Sequence, residues 1–298
     1  MTTITSARAV ARRDQRGADR GPRRGVGRLG RVGWIVVASV TALVSAFPFV
    51  FMLLGALKTS GEFLGNPFLL PRNLTFENFT NLITSNFGQY FANSLIVTVV
   101  GVIGTVVLAI LSAYAITRFQ TRLNTPMLLL FLAGLMVPVH VTLIPLYVLT
   151  QQLGLYDSLP ALFGPFIAFN LPVAVFVLTG FFRQIPESLF DAAKLDGAGY
   201  WQTLRNVVIP LAGPAIATVS VITFIFVWNE LVFALVLLTS AENYPVPLGL
   251  NAFYGQFRVD IPGLMAALVV ATVPSIIFYL VAQERVVSGL AAGALRGE

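Results

Sequence analysis

The chain has 298 residues, 56% of them hydrophobic and 11% charged, with a mean hydropathy of +0.82, whereas a soluble domain holds roughly 45–50% apolar and about 25% charged residues. A soluble globular protein is thereby excluded, and the absence of cysteine excludes disulfides, thiol catalysis and cysteine-held metal. The net charge of +6 belongs to residues 1–31, where nine Arg accompany two Asp, and without a folded basic face this stretch reads as a solvated, disordered cytoplasmic tail that binds no nucleic acid.

In chain order, six apolar stretches follow at residues 33–57, 91–117, 126–150, 160–182, 210–239 and 263–282, with Glu230 their one formally charged side chain. About 20 apolar residues cross the roughly 30 Å hydrocarbon core as a helix, so residues 32–298 read as an all-α integral membrane domain of six transmembrane helices. The first stretch follows two Arg pairs, Arg12-Arg13 and Arg23-Arg24, but is too long for a signal h-region and lacks a small-residue cleavage pattern, so a retained anchor is expected. Gly25, Gly27 and Gly30 spell a GxGxxG, yet no strand precedes it and a span begins at once, which removes the nucleotide-binding context. Prolines recur within the later spans, at Pro138, Pro145, Pro165, Pro172, Pro214 and Pro274, and predict kinks that line a path or reflect bundle packing. His140 is expected to be a hydrogen-bonded packing residue; metal binding is not indicated, since no second ligand lies at suitable spacing.

Residues 183–209 form the longest connection on the side assigned below to the cytoplasm. Ile185, Leu189, Ala192 and Ala193 recur at helical spacing among Glu187, Asp191 and Lys194, Asp196-Gly197 supplies a turn with Gly197 in the left-handed conformation, and a second helix starts near Tyr200 with Pro210 opening the next span. This predicts a helix-turn-helix knob; the alternative is a helix lying in the lipid interface. In the fifth span, Ser220, Thr223, Glu230 and Ala234 share a small or polar stripe. An ionisable group in a span faces the bundle interior or water, so Glu230 is either a polar contact on a transport path or a carboxylate bonded to backbone or a neighbouring helix. Lys and Arg number sixteen on one side of the membrane and three on the other, placing both termini in the cytoplasm.

The knob carries a resemblance. Asp191-Ala192-Ala193, Gly197 and Val207-Val208-Ile209-Pro210 resemble, in type and spacing, the EAA loop of ATP-binding-cassette importer permeases, with Asp in place of Glu at the first position. Asn93-Ser94-Leu95, Ala113-Tyr114-Ala115 with Arg118-Phe119, Ile144-Pro145-Leu146-Tyr147, Trp228-Asn229-Glu230 and the run from Gly289 to Ala294 are similar to the smaller permease subunit of the maltose-type carbohydrate branch. The resemblance covers about Pro48 to Arg296. It implies the type I importer fold with a cytoplasmic coupling helix, a cell-membrane location, a paralogous permease, two ATPase subunits that bind ATP and Mg, an extracytoplasmic sugar-binding protein and a sugar substrate.

Further expectations come with that family. Leu189, Asp191, Ala192, Ala193 and Gly197 would contact the ATPase, with Leu189 as a buried anchor and the two alanines small enough for close seating. Gly289 and Gly293 would belong to a tail that touches the ATPase. Asn251, Tyr254 and Gly255 would lie in a loop that enters the binding protein, unless the aromatic tip with Phe253 and Phe257 is an interfacial belt. Thr223, Asn229 and Glu230 would line the path. The chain itself has no GxxxxGK[ST] loop and holds no cofactor on this reading, so it is not expected to be an enzyme by itself. An ion-coupled secondary transporter or channel is the alternative; it would need more carboxylates in the spans than Glu230. A membrane-embedded transferase would want clustered Asp, His or Arg at a membrane face.

Overall fold

The computed structural model describes residues 28–119, 121–253 and 260–294. Among them there is no strand; four helices are long and apolar enough to cross a membrane, or six if each of two sharply bent pairs makes one span. The chain divides into two compact units at Phe51/Met52. The described part of the first consists of the opening turns of α1 (Arg28–Ala56), a helix that passes through Pro48 and stacks Phe47 on Phe51, ring centres 6.1 Å apart.

The second unit begins with the end of α1 and two short helices, α2 (Ser60–Gly65) and α3 (Glu77–Thr84). Lys58, between α1 and α2, is 1% exposed. Its ammonium donates to the carbonyls of Asn66 at 3.0 Å and Pro67 at 2.9 Å, while the Asn78 amide donates to Ala56 and Lys58 carbonyls, so a buried charge is met by carbonyl dipoles.

The bundle proper follows: α4 (Phe87–Arg118), α5 (Asn124–Gly134), α6 (Val139–Gln152) and α7 (Pro160–Phe182). The expected third span is not one helix. α5 and α6 meet at 94°, because Val137 precedes Pro138, whose ring excludes the helical conformation there; Pro138 is extended at ψ 130°. The amides of Leu135, Met136 and Val137 bond back to Leu132, Ala133 and Gly134 carbonyls, so the bend leaves none of them unpaired. His140 is exposed beside this bend rather than packed inside. By contrast α4 contains no proline, and it packs most extensively on α7. Gly104 permits that approach, since a Cβ there would lie 2.4 Å from the Ile167 side chain, the use of small residues that drives helix association in lipid.

After α7 come α8 (Glu187–Leu195), α9 (Tyr200–Thr203), a π-helical turn Leu204–Val208, α10 (Ile209–Leu211), α11 (Gly213–Trp228), α12 (Val232–Leu237), α13 (Val246–Gly249) and α14 (Ile261–Ala294). The fifth span also differs from its expected form. Pro210 lies inside α10, the chain turns by 77° at Ala212, and the helix stops again after Trp228. The sixth stretch and the tail beyond it are one helix, α14.

Two buried clusters fill the second unit. One joins Tyr114 of α4, Leu178 and Phe182 of α7, Phe190 of α8 and Leu204 and Val208 of the π turn. The other joins Val97 of α4, Leu162 and Phe166 of α7, Val227, Phe233 and Leu237. The end with residues 183–209 is called lower below, and the end with residues 153–159 and 238–249 upper.

Candidate functional site

The lower site is the 183–209 loop. α8 ends as expected: Gly197 has φ +76°, and the amides of Asp196, Gly197 and Ala198 return to the carbonyls of Ala192, Lys194 and Ala193, which satisfies the last carbonyls of the helix. Lys194 pairs with Asp191 at 3.2 Å on the surface, an exposed pair of small energetic weight. Gly199 starts the next helix, its amide bonded to the Gln202 side chain at 3.0 Å.

The two faces of α8 differ from the expected apolar stripe. Ile185, Phe190 and Ala193 point into the protein, Ala193 at 8% exposure, whereas Leu189 at 40%, Asp191 and Ala192 face outward. Ala193 thus seats α8 on its own bundle and is not free to touch another chain from this position. In the second helix Thr203, Leu204 and Val208 are buried, and Tyr200 and Trp201 are exposed. Leu195, at 89% exposure, extends the outward apolar surface; sequence periodicity had not singled it out.

The loop is held from behind by α4. Arg118 donates from Nη1 to Glu187 Oε2 at 2.8 Å and from Nη2 to the Phe182 carbonyl at 3.2 Å, and its guanidinium carbon lies 3.2 Å from the Phe190 ring centre, a cation–π contact. The Tyr114 hydroxyl donates to the Tyr200 carbonyl at 3.0 Å. A cleft of about 610 Å³ opens between these groups, bordered by Arg118, Glu187, Lys194 and Tyr200.

The upper site is the segment from Leu237 to Phe253. Asp157, itself at φ +57°, donates its amide to the Leu237 carbonyl at 3.0 Å. Its carboxylate accepts the amides of Thr239 at 2.8 Å and Ser240 at 2.9 Å and the Ser240 hydroxyl. Burial alone would raise this carboxyl, but the hydrogen bonds from Ser240 and Thr239 outweigh it and hold it well below the usual carboxylate range. Asn243 donates to the Asp157 carbonyl at 2.6 Å. Asn251 is exposed in a 3-10 turn, Leu250–Phe253, and the Asp260 amide bonds to the Phe253 carbonyl at 3.2 Å, closing the mouth of the loop. Tyr254, Gly255 and Phe257 lie outside the described residues.

The expected path residues are dispersed. Thr223 is buried at 2% exposure and borders a small recess with Asn170, so it does not lie on an open face of this chain. Asn229 is exposed, its amide donating to the Ile225 carbonyl at 2.8 Å. Glu230 sits in the break between α11 and α12, where its carboxylate accepts the amides of Val232 at 2.8 Å and Phe233 at 3.1 Å. It caps α12, in line with the backbone-bonded alternative. Gly289 and Gly293 are in the last turns of α14.

Over residues 105–291 the sequence matches the family described as binding-protein-dependent transport system inner membrane component. The chain belongs to this family. The permease is 35% identical over 278 residues, covering 91% of it and 98% of the relative, to the trehalose/maltose transport system permease protein MalG of Thermococcus litoralis. To the diacetylchitobiose uptake system permease protein NgcG of Streptomyces coelicolor it is 34% identical over 265 residues, 88% of this chain and 87% of the relative. Among solved structures it is similar to a chain in the crystal structure of a bacterial ABC transporter involved in the import of the acidic polysaccharide alginate, with a TM-score of 0.75 and 26% identity over 87% of this chain and 98% of that one. The permease is accordingly a multi-pass membrane transport component and not a catalytic subunit.

Proposed function

We propose that the permease forms half of the translocation path of an ATP-driven sugar importer, paired with a paralogous permease in the lipid bilayer of the cell membrane. Two ATPase subunits, which bind ATP and Mg, dock on residues 186–197, that is α8 with its flanking turn, and an extracytoplasmic sugar-binding protein delivers sugar at the upper end. Both termini lie in the cytoplasm, a placement that the distribution of Lys and Arg supports. The observation that carries the reading is the outward surface of the loop between two membrane helices, where Leu189, Ala192, Leu195 and Trp201 are exposed beside the left-handed Gly197. A solvated apolar knob of this kind needs a partner surface. The sugar transport roles in the names of the relatives support the substrate class.

In this assignment Leu189 is the anchor, Ala192 allows close seating, Asp191 stands at the charged rim and Gly197 sets the angle to α9. Ala193 acts from the inner face by fixing α8 to the bundle. Gly289 and Gly293 contact the ATPase from the tail, the loop with Asn251, Tyr254 and Gly255 meets the binding protein, and Asn229 faces the path with Glu230 supporting the turn above it. The test is co-purification of the ATPase with a tagged permease pair, together with labelled-sugar uptake in cells. Ala192→Asp and Gly197→Asp are expected to leave the permease inserted and paired, yet to lose the ATPase and uptake. Retention of stoichiometric ATPase and normal uptake by both variants overturns the assignment.

A further inference from the structure

Two sets of contacts with no part in the proposed docking surfaces lie at opposite ends of one helix. At the lower end, Arg118 closes α4 by its bonds to Glu187 and Phe182 and its stacking on Phe190, and Tyr114 one turn earlier holds Tyr200. α4 is thereby joined to the loop on both sides of Gly197. At the upper end, Asn93 is buried and donates to the Glu242 carbonyl at 2.7 Å and the Tyr244 carbonyl at 3.0 Å, while the Ser94 hydroxyl accepts the Val246 amide at 2.7 Å. Such bonds resist slippage, because breaking them would strand buried polar groups.

Between the two ends α4 is continuous, and the rise from Asn93 to Arg118 is roughly 38 Å at 1.5 Å per residue. Every other spanning path among the described residues of this unit carries a break or an interior proline. α5 and α6 meet at 94°, α10 and α11 at 77°, and α12 is separated from α11 by residues 229–231. α7 contains Pro165 and Pro172, and α14 contains Pro274.

We infer that α4 is the strut through which displacement of the 183–209 loop reaches the 242–246 segment, with Arg118 and Asn93 as positioning residues at its ends. The inference rests on the proposed function, since the strut has a load only where an ATPase moves the loop. Linkage makes the device work in both directions: a binding protein that shifts the upper segment changes the loop's preferred position by the same coupling free energy.

The experiment uses the whole complex in lipid vesicles and follows ATP hydrolysis against the concentration of sugar-loaded binding protein. Asn93→Ala is expected to keep the ATPase bound and to leave unstimulated hydrolysis unchanged; Arg118→Ala, whose side chain also seats the docking helix, is read at saturating ATPase with its own unstimulated rate as the reference. Both variants should leave the half-saturating binding-protein concentration unchanged while lowering maximal stimulation about tenfold, within the span of allosteric couplings. The double variant should fall no lower than the worse single one, because the two residues act in series. Exchange of charge, Arg118→Glu with Glu187→Arg, should recover stimulation that Arg118→Glu alone loses. If Asn93→Ala does not assemble, Ser94→Ala takes its place with the same expected split. Full maximal stimulation at a raised half-saturating concentration would show that Asn93 only shapes a docking surface, and additive losses in the double variant would show independent effects; either result overturns the strut. A wild-type complex that binds no ATPase or gives no stimulation overturns the proposed function, and the strut falls with it.

Discussion

At the scale of single residues, the lower loop depends on Gly197 and on which of two adjacent alanines faces out. A Cβ at Gly197 would meet no atom of this chain within 4 Å, so an uncharged substitution there carries a backbone cost alone, whereas Asp also brings a charge to the docking surface. For an L residue in the left-handed region that cost is roughly 1–2 kcal/mol, and less for Asn. Gly197→Ala should therefore weaken association of the ATPase with the permease pair about fivefold or more, and Gly197→Asn by less, as read from an ATPase titration of the pair in detergent. Equal affinities for Gly197, Ala and Asn would mean that the turn does not set the docking angle. The glycine was legible in the sequence because it follows a helix and an Asp. The orientation of Ala192 and Ala193 was not, since both are small and the helix between Glu187 and Leu195 offers each a face. What decides it is Phe190, drawn inward under the guanidinium of Arg118 from a helix 72 positions earlier in the chain, a long-range contact that local periodicity does not contain.

At the scale of elements, the upper segment is tied to the α6–α7 turn through Asp157. Because its carboxyl is held below the ordinary aspartate value, the folded state favours the ionised form. That contribution to stability is present above the unfolded-state value of about 3.9 and is lost as pH falls through the lower folded value. Thermal unfolding midpoints of the detergent-solubilised permease should thus decline on acidification below about pH 4, with a shallower decline in Asp157→Ala. Identical pH profiles for the two proteins would remove Asp157 from the upper tie. Asp157 carries no signal in the sequence, for a single acid in a short connection has no visible partner until Thr239 and Ser240 are brought to it. The same limit explains the broken spans. Composition alone marked residues 126–150 and 210–239 as apolar enough to cross, and that judgement is insensitive to a turn at Val137-Pro138 or at Ala212, because turn amides that bond back within a few residues leave hydropathy unchanged.

At the scale of the whole molecule, the class was legible early, since an excess of apolar residues with a single formal charge in the spans admits few alternatives. Orientation follows from charge and is tested by reporter fusions: those after Gly61, Asp157 and Asn243 should report outside, and those after Arg122 and Gly199 inside. A cytoplasmic signal at Asn243 would contradict the six-span path. The bend between α5 and α6 bears on how the permease is made. At 1.5 Å per residue, the two halves are only about 16 Å and 21 Å long, each short of the roughly 30 Å hydrocarbon core. Neither can leave the insertion machinery as a self-sufficient span. α7, synthesised after the pair, packs against both halves, so membrane integration of this region is expected to be cooperative and to couple biogenesis to tertiary folding.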